Sequence, residues 1–188
     1  MNIKKQLQKI FLLFFLGGCM TAPVNHFDSY FKYEQKYQMP VQNIVLVSAL
    51  KKFDSNHHIE NRLSLSPNQI VQQWIDNTFI TDFKKNSNLH LILHKTEIVR
   101  QELPAQHWWQ HDMVQDTLNY EIELVQRTKQ NSPYRLKVGG KHYVKMNKKT
   151  SLAQKEKEYA KLYQQMFAHL ESEIQSNIPN VIPISSQN

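Results

Sequence analysis

Nine histidines, one cysteine and sixteen carboxylates are the side chains in this chain with types suited to metal, nucleophile or acid–base chemistry. His90 and His94 stand four apart, the spacing that on a helix places two imidazoles on one face. On a strand the same pair is about 13 Å apart, too far to share one ion. His107 and His111 flank Trp108 and Trp109 in "QHWWQHD", with Asp112 alongside. These would ligate a metal only if the loop folded back, and no Glu sits as it does in zinc proteases. His57 and His58 are adjacent in a polar loop whose near carboxylate is Glu60. No metal centre follows from these patterns. No serine sits in a nucleophile elbow and no Gly-rich phosphate loop follows a strand, with only four glycines in the chain. Glu121 and Glu123 share one strand face, but their expected partners are Arg135 and Lys137 on the next strand, an ordinary cross-strand pairing. An enzyme is the least favoured class, and no catalytic residue is assigned.

The single cysteine, Cys19, has a context that explains it. Lys4, Lys5 and Lys9 precede an apolar run from Ile10 to Leu16, shorter than the ~20 residues a bilayer span needs. That is the layout of a secretory signal. The run ends in Leu16, Gly17, Gly18 and Cys19, which resembles the lipobox of bacterial lipoproteins. The resemblance implies that the thiol carries a diacylglycerol, that the signal is cut before it, and that the new amino terminus is acylated. Several acyl chains bind a membrane far more firmly than one. No thiol then remains for a disulfide, a disulfide-linked partner or catalysis, and no cofactor other than the covalent lipid is expected.

Cleavage also changes the charge. It removes three of the 23 basic residues and none of the 16 acidic ones, so 20 against 16 leaves +4 in place of +7. Nucleic-acid binding loses most of its compositional support. Few glycines and prolines with 40% hydrophobic residues suit one globular domain. The expected organisation is a signal over 1–18, a lipidated approach segment over 19–39, a domain over 40–178 and an irregular tail over 179–188. The aromatic residues Phe27, Tyr30, Phe31, Tyr33 and Tyr37 make the approach segment unlike a flexible tether.

The elements that must hold any site are legible from their periods. Ile44 to Leu50 is a continuous apolar run, as in a buried strand. Ser66, Pro67 and Gln69 open a helix with a capping-box pattern, and Ile70, Val71, Trp74, Ile75, Thr78 and Phe79 fall on one face of it. From about Leu89 to Gln101, Leu89, Leu91 and Leu93 share a face while Ile98 falls on the other, which predicts a bulge or burial on both sides. Leu118, Tyr120, Ile122 and Leu124 alternate with polar residues in a half-buried strand that ends near "KQNSP".

"YRLKVGGKHYVKM" allows either a Gly-Gly hairpin or one continuous strand. The hairpin would set Val138 against Lys141 on one face. The continuous strand puts Tyr134, Leu136, Val138, Val144 and Met146 on one side and Arg135, Lys137, Lys141 and Lys145 on the other, and is preferred. Gly139 and Gly140 then mark twist, a bend or a close neighbour. A last helix opens at Ser151 with Gln154 as a second capping box, its stripe running from Leu152 through Tyr159, Leu162, Tyr163, Met166, Phe167 and Leu170 to Ile174. The order β-α-β-β-β-α predicts an α+β two-layer sandwich, with an antiparallel or mixed sheet and two helices packed on one face.

Two surface features suit contact. Trp108 and Trp109 are adjacent in a loop where one easily points outward, as in a partner hot spot or a membrane headgroup region, unless both cap the sheet. Lys137, Lys141, Lys145 and Lys148 lie in a run without acids, suited to anionic headgroups or to a solvated face paired with Glu121 and Glu123.

The lipobox, the helix opening "LSPNQIVQQWID", three following strands and the terminal helix opening "SLAQKEKEYAKLYQQM" together resemble a group of uncharacterised proteobacterial lipoproteins. More remotely the order resembles the auxiliary lipoproteins of lipid-handling ABC and MCE transport systems. The expected function is a non-enzymatic accessory subunit of an envelope or transport assembly, docking through the sheet edge or the Trp loop, with the membrane and an envelope protein as partners. The other reading is a lipid-binding module that shelters an acyl chain between helices and sheet. Met20 and Thr21 after the cysteine, with no Asp to retain the protein at the inner membrane by the enterobacterial rule, imply the outer membrane, facing the periplasm.

Overall fold

The computed structural model describes residues 28–33, 35–50, 59, 63–82, 85–105, 107, 111–128, 134–178 and 180–184. After a short 3-10 turn at Asp28–Tyr30 the elements are β1 (Lys36–Met39), β2 (Asn43–Ser48), α1 (Pro67–Thr78), β3 (Phe79–Thr81), β4 (Ser87–Leu103), β5 (Met113–Thr128), β6 (Tyr134–Asn147), α2 (Leu152–Asn177) and β7 (Ile182–Ile184). None of the described helices is long and apolar enough to cross a membrane.

The main sheet has the order β2-β4-β5-β6, with β2 parallel to β4 and the other pairs antiparallel. A parallel pair needs a crossover, which α1 supplies. The fold is thus the expected α+β sandwich with a mixed sheet. Both helices turn their apolar stripes into one core: Ile70, Val71 and Trp74 from α1 and Tyr163, Met166 and Leu170 from α2 are fully buried with Leu93, Leu118 and Ile122 of the sheet.

Local signals account for these elements. Ser66 caps α1, accepting from Gln69 N at 3.4 Å, and Gln69 Oε1 accepts from Ser66 N at 2.8 Å. The second capping box forms only in part. Ser151 Oγ accepts from Gln154 N, while the Gln154 side chain turns to Glu158 at 2.8 Å. Leu152, placed in the apolar stripe by its spacing, is 65% exposed, in a first turn of α2 that is open to solvent. The pairing of β4 with β5 shifts between Leu93 and Lys95, so Leu89, Leu91 and Leu93 face the core before the bulge and Thr96 and Ile98 after it. β6 runs without a break through Gly139 and Gly140, its register continuous from Gln126↔Tyr134 to Met113↔Asn147.

Two stretches expected at the periphery enter the fold. Lys36–Met39 of the approach segment is β1, with Tyr37 and Met39 buried. The tail, expected to be irregular, forms β7 over Ile182–Ile184. A second sheet of order β3-β1-β7 results, so strand pairing extends on both sides of 40–178. Pro183 opposes Tyr37 in this sheet, and β7 tolerates it as an edge strand, where one face of the backbone needs no donor. Strands of three or four residues carry too little alternation to be read from sequence.

Candidate functional site

The bulge and the register decide which polar groups meet. Beyond the bulge Arg100 faces the helices, directly opposite Asp116. Arg100 donates from Nε to Asp116 Oδ1 at 2.8 Å and from Nη2 to Oδ2 at 2.7 Å. Tyr159 of α2 donates to the same Oδ2 at 2.7 Å, and Arg100 Nη2 also reaches Tyr159 Oη at 2.9 Å. Asp116 is fully buried. The bond to Asp116 raises the Arg100 pKa, and burial followed by Asp116 raises that of Tyr159 well above the tyrosine range. This closed network pins α2 to the sheet. Asp116 shares the parity of Leu118, Tyr120 and Ile122, the one sequence signal that marked it as inward.

A second cluster lies nearer the β6 edge. Gly140 stands opposite Tyr120, and the Tyr120 ring lies across it. Its hydroxyl sits 2.6 Å from His169 Nδ1 of α2 and 3.4 Å from His142 Nε2 of β6, and its ring stacks on His142 with centroids 5.7 Å apart. Glu173 approaches the other His169 nitrogen at 3.6 Å. Burial, and next the nearby His169, lowers the His142 pKa from its ordinary 6.5. The unfolded chain therefore takes a proton near that pH before the folded one does, so this contribution to stability is complete above it and is lost as pH falls toward the folded value. The urea midpoint is expected to drop between about pH 7 and pH 5.5 more steeply for the parent than for His142→Gln. Parallel curves would remove the assignment.

The face of the sheet away from the helices carries the charges predicted for it. Glu123 pairs with Arg135 at 3.4 Å and Glu121 with Lys137 at 3.8 Å. Glu123 also accepts from His94 Nε2 at 2.9 Å, which is the first cause of its lowered pKa. His94 is thus committed to a hydrogen bond, and among the described residues no group of three or more His, Cys, Asp or Glu could hold a metal. Lys148 pairs with Glu102 at 2.9 Å, whereas Lys141 and Lys145 are exposed opposite Asn119 and Gln115. Tyr143 lies between these two lysines, 64% exposed. His107 and His111 are exposed, and Asp112 holds the β4–β5 connection through Ala105 N at 3.2 Å. Leu16, Gly17, Gly18, Cys19, His57, His58, Trp108 and Trp109 lie outside the described residues.

A third group was not foreseen. Glu171 of α2 accepts from the indole Nε1 of Trp74 at 2.8 Å and from Tyr37 Oη at 3.3 Å, and Tyr37 Oη accepts from Gln175 at 2.6 Å. Burial, then Glu171, raises the Tyr37 pKa, so the phenol keeps its proton and donates it. Three elements far apart in sequence meet here, and no spacing announces it.

No protein-family model matches the chain, and no curated protein matches it. Among solved structures it is similar to a minor lipoprotein from Acinetobacter baumannii, with 9% identity and a TM-score of 0.37 over 77% of this chain and 98% of that one. It is also similar to the rare lipoprotein B from Shewanella oneidensis, with 15% identity and a TM-score of 0.29 over 71% of this chain and 98% of that one. Scores this low establish neither a shared fold nor a shared role.

Proposed function

We propose that this chain is a non-enzymatic envelope lipoprotein, anchored through Cys19 to the periplasmic face of the outer membrane, that serves as an accessory subunit of an envelope or transport assembly. The observation that carries this reading is the division of the sheet's two faces. Both helices bury one face, and the other is left to solvent along much of β6, a strand roughly 45 Å long, where Tyr143 stands between Lys141 and Lys145. A partly apolar aromatic side chain among charges suits a protein contact, and each free lysine near an anionic bilayer adds about 1 kcal/mol of attraction. The polar clusters on the helix-covered face join helix to sheet. The acyl-sheltering reading is weaker, because fully buried Ile70, Leu93, Ile122, Tyr163 and Met166 already fill the layer between helices and sheet.

In-cell crosslinking of the tagged, lipidated protein, followed by capture from gently solubilised envelopes, tests the proposal. A stoichiometric envelope protein is expected, diminished by Trp108→Ala with Trp109→Ala or by Tyr143→Ser, while Cys19→Ser releases the chain from the membrane. If the parent captures no envelope protein, the accessory role is wrong. Lipid co-purifying with the protein in that case would favour the acyl-sheltering reading.

A further inference from the structure

A cleft of about 340 Å³ opens where the segment after the 3-10 turn crosses the two helices, lined by Phe31, Lys32, Tyr33, Trp74, Phe167 and Glu171. Its size is at the small end for ligand sites. The walls are held by ring contacts: Trp74 stacks on Phe167 at 4.8 Å and 4°, and Phe31 on Tyr33 at 6.2 Å and 12°. The Glu171 carboxylate forms one wall, aimed by Trp74 and Tyr37 as described. Both donors are neutral, and no ion pair reaches Glu171 among the described residues. Each carboxylate oxygen uses one of its two acceptor positions, so a fixed negative charge keeps unused acceptor capacity beside aromatic rings. Ammonium groups are recognised by that combination of counter-ion and aromatic wall. Lys32 adds the opposite charge to the same cleft.

We propose that this cleft binds an aminoalkyl phosphate, with its ammonium on Glu171 against the aromatic wall and its phosphate toward Lys32. The inference stands apart from the accessory role. Phe31 follows Cys19 by twelve residues, a span of at most about 43 Å, so a phospholipid headgroup and a soluble phosphoethanolamine are both within the cleft's reach.

The test is a titration of the mature lipidated chain in detergent micelles with O-phosphoethanolamine, read at the indole N–H resonance of Trp74, which is identified by its loss in Trp74→Phe. A saturable shift is expected, with affinity at least tenfold weaker in Glu171→Gln, a variant that keeps an acceptor for Trp74. Lys32→Ser, on the exposed rim, should weaken phosphoethanolamine binding and leave ethanolamine binding unchanged, which keeps the proposal testable if Glu171→Gln unfolds. Micelles doped with phosphatidylethanolamine or phosphatidylglycerol distinguish the sources: a shift with the former alone identifies the lipid headgroup, and an equal response to the soluble compound identifies a free ligand. No shift with any ammonium compound, an equal shift with phosphoglycerol, or unchanged binding by Glu171→Gln would overturn it.

Discussion

Asp116→Ala is expected to lower the unfolding free energy by about 3 kcal/mol, the low end of the range for removing one partner of a buried ion pair. Asp116 is fully buried and accepts from Arg100 twice and from Tyr159 once. Removing it leaves the guanidinium with only the Tyr159 oxygen to donate to and the Tyr159 O–H without an acceptor, a large penalty for unmatched groups. The low end applies because the Arg100 side chain is 21% exposed and can recover some hydration. For a domain of this size the melting temperature should fall by roughly 6–12 °C. The double change Arg100→Met with Asp116→Leu should be less damaging than Asp116→Ala, because it replaces the pair by apolar groups of similar size. Urea unfolding of the parent and the two variants checks both statements. A single variant within about 1 kcal/mol of the parent would mean that the network carries little of the helix–sheet attachment.

Gly140→Ala is expected to destabilise by about 2 kcal/mol, as overpacking of a filled site does. A Cβ there would lie 2.5 Å from Tyr120 Oη and 2.8 Å from its Cζ. Tyr120 has little freedom to retreat, being 3% exposed, stacked on His142 and bonded to His169. Gly139 is the internal control. It faces outward, and its added Cβ would meet Tyr120's backbone oxygen at 3.2 Å, so Gly139→Ala should stay within about 1 kcal/mol of the parent. Thermal melts of the two variants decide the matter, and equal losses would show that the Tyr120 ring is not confined.

These two sites differ in how far they could be read in advance. Alternation places Tyr120 and Gly140 each in a strand, and the glycine pair marks twist, a bend or a close neighbour. Only the register Tyr120↔Gly140 selects the last of these. Asp116 is inward by parity with Leu118, whereas Arg100 shares the parity of Ile98 and turns inward only because the face change after Leu93 is a bulge and not burial on both sides. The pairings of Glu121 with Lys137 and Glu123 with Arg135 needed only neighbouring strands, and they form as expected.

What the residues determined by themselves was therefore local and periodic: the start of α1 at the Ser66 cap, the change of face between Leu93 and Ile98, the unbroken β6, and hence the layered α+β class. Tertiary structure alone brought Glu171 to Trp74 and Tyr37, His169 to Tyr120, and the short strands β1, β3 and β7 together. The physical reason is range. Caps and alternation act between residues two to four apart, so they are written in the order of the chain. The carboxylate of Glu171 meets partners 97 and 134 positions away, and only the packing of α2 over the sheet makes those distances short.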